Sequence, residues 1–565
     1  MAEQHARDFR ASLALRQQKA KGNRWAERLM SPADRSMRPG GLPGLMRRFF
    51  LLVAALAALG ALPARAYVAL MAGQTARPLN GSFNKVPVLH SNQPEEVEGP
   101  GILINTAPGV AYAAENGQAL GNAEFTFNGD FGVHIHHKYF PPYRGSIRAG
   151  QRRSELTIGL ILINPGYQPV TIRFESGAVR NSFEAPYLGN AKIGVRPLGP
   201  RPWNTGPGDA TAVQMLRGQL DRRLQDEVVI PGRSRLVLFS TEIPALGIAN
   251  ALLKGRSNGP FQMAVVAASN PSSDVDLLAV LDEGRLAPGR VYLNRITDIN
   301  NRRVFSRVGG VALGDTYQAS ITHDLSTQGP LHVPLTSTNR HNFGTGEVQV
   351  NPLATRMLDS SLDNVGTYGV RFDVDLDLRG NGPYELVLSH PSPVGGKNFT
   401  AFRGSLQVRT ADGLQEMHVG MRSGQSLPLT TLNLKPGVSN PVRVSFVYPA
   451  DATPGHLLSV VPESQLARLR DQERQLEVAR ETASTRPTVA PQLLPPVELQ
   501  EALLPANPLV LSPTFQELPP PPPPPLSLQL APVVLPPVRA DQTLVDRYQQ
   551  ALEAQQQRMR GLMEN

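Results

Sequence analysis

Apolar and polar positions alternate in short runs over residues 80–460, and Gly, Pro and Asn break the runs. The stretch "LTIGLILINPGYQPVTIRF" (156–174) predicts a strand, a turn at Asn164-Pro165-Gly166 and a second strand. Pro and Gly set the turn dihedrals, and the flanking β-branched residues suit a pleated surface. "EVVIPGRSRLVLFS" predicts another strand pair around Pro231-Gly232. In the second half, "YGVRFDVDLDLRGNGPYELVL" predicts a hairpin around Gly380-Asn381-Gly382, and "LTTLNLKPGVSNPVRVSFVYP" turns at Pro436-Gly437. Hairpin first and Pro-Gly turn second is thus the order in both halves. It predicts a mainly β protein with two antiparallel β-sandwich-like domains, residues 79–290 and 291–460. Helix is scarce there. Its best signal starts at Asp209, a good N-cap, and covers "ATAVQMLRGQLDRRLQ".

Past residue 460 the pattern changes. Residues 461–484 read as a charged helix with Leu466, Leu469 and Leu476 as a thin apolar seam. Residues 485–540 form a Pro-rich linker, unbroken Pro from Pro519 to Pro525, which favours extended polyproline II and cannot build a core. Residues 541–565 read as a C-terminal helix. Val545, Tyr548, Leu552, Met559 and Leu562 make a heptad-like seam, too narrow for a core and suited to a protein or cell-envelope partner or to self-association.

At the other end, Arg47-Arg48 precede the apolar run "FFLLVAALAALGALPARA", which closes on Ala64-Arg65-Ala66. That is a charged region, an apolar region and a small-residue cleavage site, so residues 1–66 read as an N-terminal extension with a signal peptide. The apolar run falls short of the ~20 residues of a membrane span. The expectations are export, a mature N-terminus at Tyr67, residence in the periplasm, cell envelope or cell surface, and no transmembrane span after cleavage. Met37 or Met46 would place a start nearer the signal, and the paired Arg resembles the twin-arginine pattern.

The formal charge of +9 loses its meaning for nucleic acid in this light, because much of it lies in the first 48 residues. No basic stripe interleaved with aromatics follows. The chain has no Cys, which removes disulfides, thiol nucleophiles and Cys-based zinc sites.

Several segments resemble an exported cyanobacterial family known as domain-of-unknown-function family 3370. "GTYGVRFDVDLDL", "FRGSLQVR", "MRSGQSLPL" and "VRVSFVYPADATPGHLLSV" are similar to its C-terminal half. "GPGDATAVQMLRGQL", "VVIPGRSRLVL" and "RSNGPFQMAVVA" are similar to its N-terminal half, and "FGTGEVQVNPLATRM" fits between. The resemblance covers about residues 79–460. It implies a secreted or envelope protein of a cyanobacterium and carries no catalytic residues with it.

The chemistry most open to a metal lies in "GDFGVHIHHKYF" (129–140). On a strand, His134 and His136 point one way and His137 the other. Asp130 has the same parity as His134 and His136, and a carboxylate with two imidazoles is a metal-ligand set. The opposing reading is an aromatic-rich strand, with Phe125, Phe127 and Phe131, whose histidines are structural. His323, His332, His341, His390 and His418 are scattered singly. Asp373, Asp375 and Asp377 share another strand face and need solvent, Arg371 and Arg379, or a cation to offset their repulsion. There is no G-x-S-x-G, H-E-x-x-H or P-loop. "GPGD" could cradle an anion at a helix start, a role Asp209 itself fills. A sugar platform favours Trp, and only Trp203 follows the signal. The reading is a non-enzymatic exported envelope or surface protein without a cofactor. The alternatives are a metal-dependent enzyme or ligand binder using Asp130, His134 and His136, and a carbohydrate-binding module.

Overall fold

The alternating runs form strands because one or both faces find an apolar cover. In the computed structural model, residues 69–71, 73–142, 154–186, 194–199, 205–302, 307–391, 399–450 and 452–485 are described. The signal segment, the Pro-rich linker and the C-terminal helix expected at 541–565 lie outside them. The described chain is mainly β, in two face-to-face pairs of sheets.

The first sandwich pairs a four-stranded sheet with a nine-stranded one. The four-stranded sheet holds Gly101–Asn105, Ser154–Ile163, Arg235–Pro244 and Gln262–Ala268. Asp130–Tyr139, Val170–Asn181 and Ile248–Ser257 form the middle of the nine-stranded sheet. Phe131, Val133, Ile135, Leu160, Leu162 and Val265 are among the buried residues between them. The second sandwich pairs a seven-stranded sheet, with Arg371–Arg379 and Asn440–Val447 inside it, with a four-stranded one holding Gly382–Ser389 and His456–Pro462. Phe372, Val374, Leu406, Phe446 and Leu458 are among its core residues.

Most pairings are antiparallel. Pro87–Ser91 runs parallel to Asp130–Tyr139, however, and Thr316–Asp324 runs parallel to Arg371–Arg379.

The four turns read from sequence lie between strands, but none closes a hairpin. Each carries the chain from one sheet of a sandwich to the facing sheet. Ser154–Ile163 lies in the four-stranded sheet and Val170–Asn181 in the nine-stranded one. The Pro231-Gly232 turn then returns the chain from Glu227–Ile230 to Arg235–Pro244. Within the sheets, Ser154–Ile163 pairs with Arg235–Pro244, and Val170–Asn181 with Glu227–Ile230. The second sandwich repeats the plan: Arg371–Arg379 pairs with Asn440–Val447, and Gly382–Ser389 with Ser426–Leu434. The recurrence noted in the sequence is therefore a recurrence of paired corners.

The sheets do not divide at residue 290. Gly309–Leu313, Asn351–Arg356 and Asp363–Asn364 join the nine-stranded sheet, and Val311 and Met357 join the first core. Ser82–Phe83 and Gly194–Pro197 join the seven-stranded sheet.

The helix expected from Asp209 spans Pro207–Leu216. Pro207 occupies its first position, where a missing N–H does no harm, and Gly206 is the N-cap. Asp209 is therefore inside the first turn. The helix ends early because Gly218 adopts φ +63°. Gly218 N–H bonds Met215 O (3.1 Å) and Gln219 N–H bonds Gln214 O (2.9 Å), which is a Schellman closure. Small residues (Gly208, Ala210, Thr211, Ala212) leave this helix buried between the nine-stranded and seven-stranded sheets. The charged helix Glu463–Thr485 starts against the second sandwich, where Leu466 is buried with Leu70, Val387 and Val461. No described helix is long and apolar enough to cross a membrane.

Candidate functional site: the polar seam between the sandwiches

Asp130–Tyr139 is buried on both faces, which explains why its pattern does not alternate cleanly. Phe131, Val133 and Ile135 face the first core. Gly132, His134 and His136 face the seam where the short helix lies. Asp130 has the matching parity but not the reach. At ~3.4 Å per residue it sits ~14 Å along the strand from His134. Its side chain is half exposed and faces Arg256 at 3.6 Å. The expected set of Asp130, His134 and His136 is not brought together. Among the described residues, no three His, Cys, Asp or Glu side chains converge in a metal-holding arrangement.

The structure brings His134 to His90 instead. The parallel strands place His90 in register with His134, and their Nδ1 atoms lie 3.1 Å apart. His134 stacks on His136 with centroids 6.5 Å apart. His136 Nδ1 bonds Asn250 Oδ1 at 2.9 Å, so this nitrogen carries the proton. Asn250 Nδ2 donates to Thr211 Oγ1 at 2.6 Å, and Thr211 donates to the Pro207 carbonyl at 3.1 Å. The chain of bonds thus runs from sheet to helix. On the helix's other side, Asp209 Oδ2 accepts from Ser405 Oγ and His418 Nδ1, each at 3.0 Å. Asp209 therefore does not cap its helix; it links it to the seven-stranded sheet. Serine, histidine and aspartate meet here, but both donors converge on the same carboxylate oxygen. The serine is not aimed at an imidazole nitrogen, as nucleophilic activation requires.

His137 points into the first core. Its Nδ1 donates to Pro94 O at 2.7 Å, so Nε2 accepts from Ser91 Oγ at 2.8 Å. A neutral imidazole satisfies both bonds. Burial holds His137 down to about 3, with the Pro94 carbonyl opposing and the charges of His136 and Arg290 adding. Burial alone holds His90 at about 3. Burial, then repulsion from His90, His136 and His137, keeps His134 well below its ordinary value. Bases this reluctant to take a proton are poor general acids near neutrality.

The single histidines also acquire partners. His390 and His456 meet at 5.1 Å between centroids, and His332 lies between Ser459 Oγ and Gln74 Oε1, at 2.8 Å from each. His90 and His456 went unnoticed in the sequence, since nothing local marks either one. Asp373, Asp375 and Asp377 are offset within the sheet. Arg371 Nε bonds Asp373 at 2.8 Å, Arg443 grips Asp375 with two bonds of 2.6 and 2.8 Å, and Ser439 donates to Asp377. Arg443 faces Asp375 in the strand register and does the work expected of Arg379, which is exposed at the strand end.

Next to His134 the seam opens into a cleft of about 350 Å³, bounded by both sandwiches and the helix end.

A sequence model of the family described as "Protein of unknown function (DUF3370)" matches residues 74–462. A search of curated proteins finds no match. Among solved structures, the chain is similar at 9% identity to a Paenibacillus xanthan lyase, over 65% of this chain and 26% of the lyase, with a TM-score of 0.11. It thus spans about a quarter of that enzyme. A variant of Bacillus subtilis oxalate decarboxylase matches at 9% identity over 71% of this chain and 85% of that one, with a TM-score of 0.08.

Proposed function

Given that the chain belongs to the DUF3370 family, proteins of unknown function, we propose that it is a non-enzymatic exported protein of a cyanobacterial cell envelope or surface, with a structural or binding role. The observation that carries this reading is the use of the histidines. His90, His134, His136 and His137, the richest cluster of chemistry in the chain, are buried in bonds that join neighbouring strands of the nine-stranded sheet and, through Asn250, reach the helix. The export signal before Tyr67 supports location in the periplasm, envelope or surface. The Pro-rich segment and the seam from Val545 to Leu562 support a tethered body whose last helix docks on a protein or envelope partner. Two measurements test the reading. Elemental analysis of protein purified without chelator should show no metal that the double variant His134→Gln/His136→Gln loses. A stoichiometric transition metal absent from that variant makes the metal-dependent alternative the better one. Terminal sequencing of the protein from its host should begin at Tyr67; a start near residue 1 overturns export.

A further inference from the structure

The cleft beside His134 has an apolar floor, made by Val88, Leu252 and Met215. Its charged groups come from both sandwiches: Glu175 and Lys254 from the nine-stranded sheet, Asp315 and Arg371 from the starts of two adjacent strands of the seven-stranded one. Two cations and two anions leave it with no formal charge, so nothing in its lining selects an ion of either sign. Lys254 Nζ and Asp315 Oδ2 are 3.4 Å apart and offset each other.

What the lining does have is unused hydrogen-bonding capacity of both kinds. Arg371 gives Nε to Asp373 and Nη1 to Leu216 O, at 2.8 and 3.3 Å, and its Nη2 has no partner among the described residues. Lys254 has three donors and one partner. Glu175 offers a carboxylate with no hydrogen bond or ion pair among the described residues. The Ser176 hydroxyl is buried and donates only to Met215 Sδ at 3.1 Å, a weak acceptor.

A ligand that uses donors and acceptors at once, carries no charge and presents a C–H face to an apolar floor is a polyol ring. We propose that this cleft binds a neutral saccharide unit. Hydroxyls bridge from Arg371 on the seven-stranded sheet to Lys254, Glu175 and Ser176 on the nine-stranded one. The ring's apolar face rests on Leu252 and Met215 rather than on an aromatic platform. The cleft falls in the volume range of ~300–1,000 Å³ usual for small-molecule sites. The proposal rests on the binding form of the function above and names its ligand class.

The test is calorimetric titration of the full chain with glucose, galactose, N-acetylglucosamine, maltose and cellobiose. Glucuronate, glucosamine and free alanine serve as charged counterparts. At least one neutral sugar should bind, and Lys254→Met and Glu175→Gln should each weaken it by about tenfold or more. Glu175 is exposed, so Glu175→Gln should keep the wild-type thermal midpoint; Lys254→Met also unpairs Asp315, 12% exposed, so its loss of binding is read at a temperature well below its own midpoint. A Tyr167→Ala variant, at an exposed corner remote from the cleft, should bind normally. Three results overturn the proposal: no neutral sugar bound up to about 10 mM, binding that both cleft variants leave unchanged, or tighter binding of glucuronate or alanine than of any neutral sugar. None of these bears on metal content or on the exported N-terminus, so failure here is separable from failure of the function above.

Discussion

Acidification should unfold this protein through its histidines before its carboxylates respond. His90 and His137 are held to about 3, and His134 and His456 lie well below the ordinary 6.5, burial being the first cause in every case. The sign follows from the direction. A depressed imidazole stays neutral in the fold while the same residue in the unfolded chain takes a proton. Stability is complete above pH 6.5 and falls as pH drops from there towards the folded values. At pH 5 His90 and His137 each favour the unfolded chain by about 2 kcal/mol, since one pKa unit is about 1.36 kcal/mol. Together these two give about 4 kcal/mol, a large share of the ~5–15 kcal/mol that holds a typical domain together, and His134 and His456 act in the same direction. His332 and His390, at about 4, act in the same direction. The carboxylates of Asp221, Asp282 and Glu416 are lowered, and they add their loss only in a more acid range. Urea unfolding followed by far-ultraviolet circular dichroism between pH 7.5 and 4.5 should show the midpoint falling with a proton uptake of at least about two near pH 5. A midpoint that holds steady from pH 7 to 5 would refute the claim that these imidazoles are buried and neutral.

Other consequences are local. Arg290 and Asp359 form an ion pair with both side chains 0% exposed, so Arg290→Met should cost about 3–5 kcal/mol in urea unfolding, whereas Asp375→Asn, at a half-exposed pair, should cost less than about 1 kcal/mol. Gly369 adopts φ +77° with Leu252 and His134 where a Cβ would lie (3.1 and 3.2 Å), so Gly369→Ala should destabilise by about 1–3 kcal/mol, read as a lowered thermal midpoint. Removing residues 541–565 should leave the circular dichroism of the β sheets unchanged and alter self-association in sedimentation, or retention in the envelope fraction. Equal behaviour of truncated and full chains in both would end the docking idea.

Strands and turns were legible because period-two alternation and Pro-Gly pairs are local signals. Sheet membership was not, because a corner between facing sheets and a hairpin within one sheet use the same turn residues. Only the packing of Ile163, Val170 and their neighbours decides between them. The helix starts two residues before Asp209 because Pro207 takes its first position, where a missing N–H does no harm. It stops short of the expected end because Gly218, at φ +63°, closes it. His134 and His136 were rightly set on one face and His137 on the other. Their chemistry was out of reach, because His90, Asn250 and Ser91 arrive from other strands. Asp130 was included on parity alone, which ignores the distance along a strand.

The crossing of strands between the two sandwiches also bears on when the protein can fold. The strand Pro87–Ser91 needs Gly309–Leu313 beside it, and Phe83 needs Tyr317. A chain emerging N-terminus first therefore cannot complete its first sheet until residue 364 is available. Loop closure over such separations is slow, and unpaired edges stay open to association in the interval. The second sandwich likewise waits for its last strand, His456–Pro462. Between synthesis and completion the polypeptide depends on whatever holds nascent β edges apart.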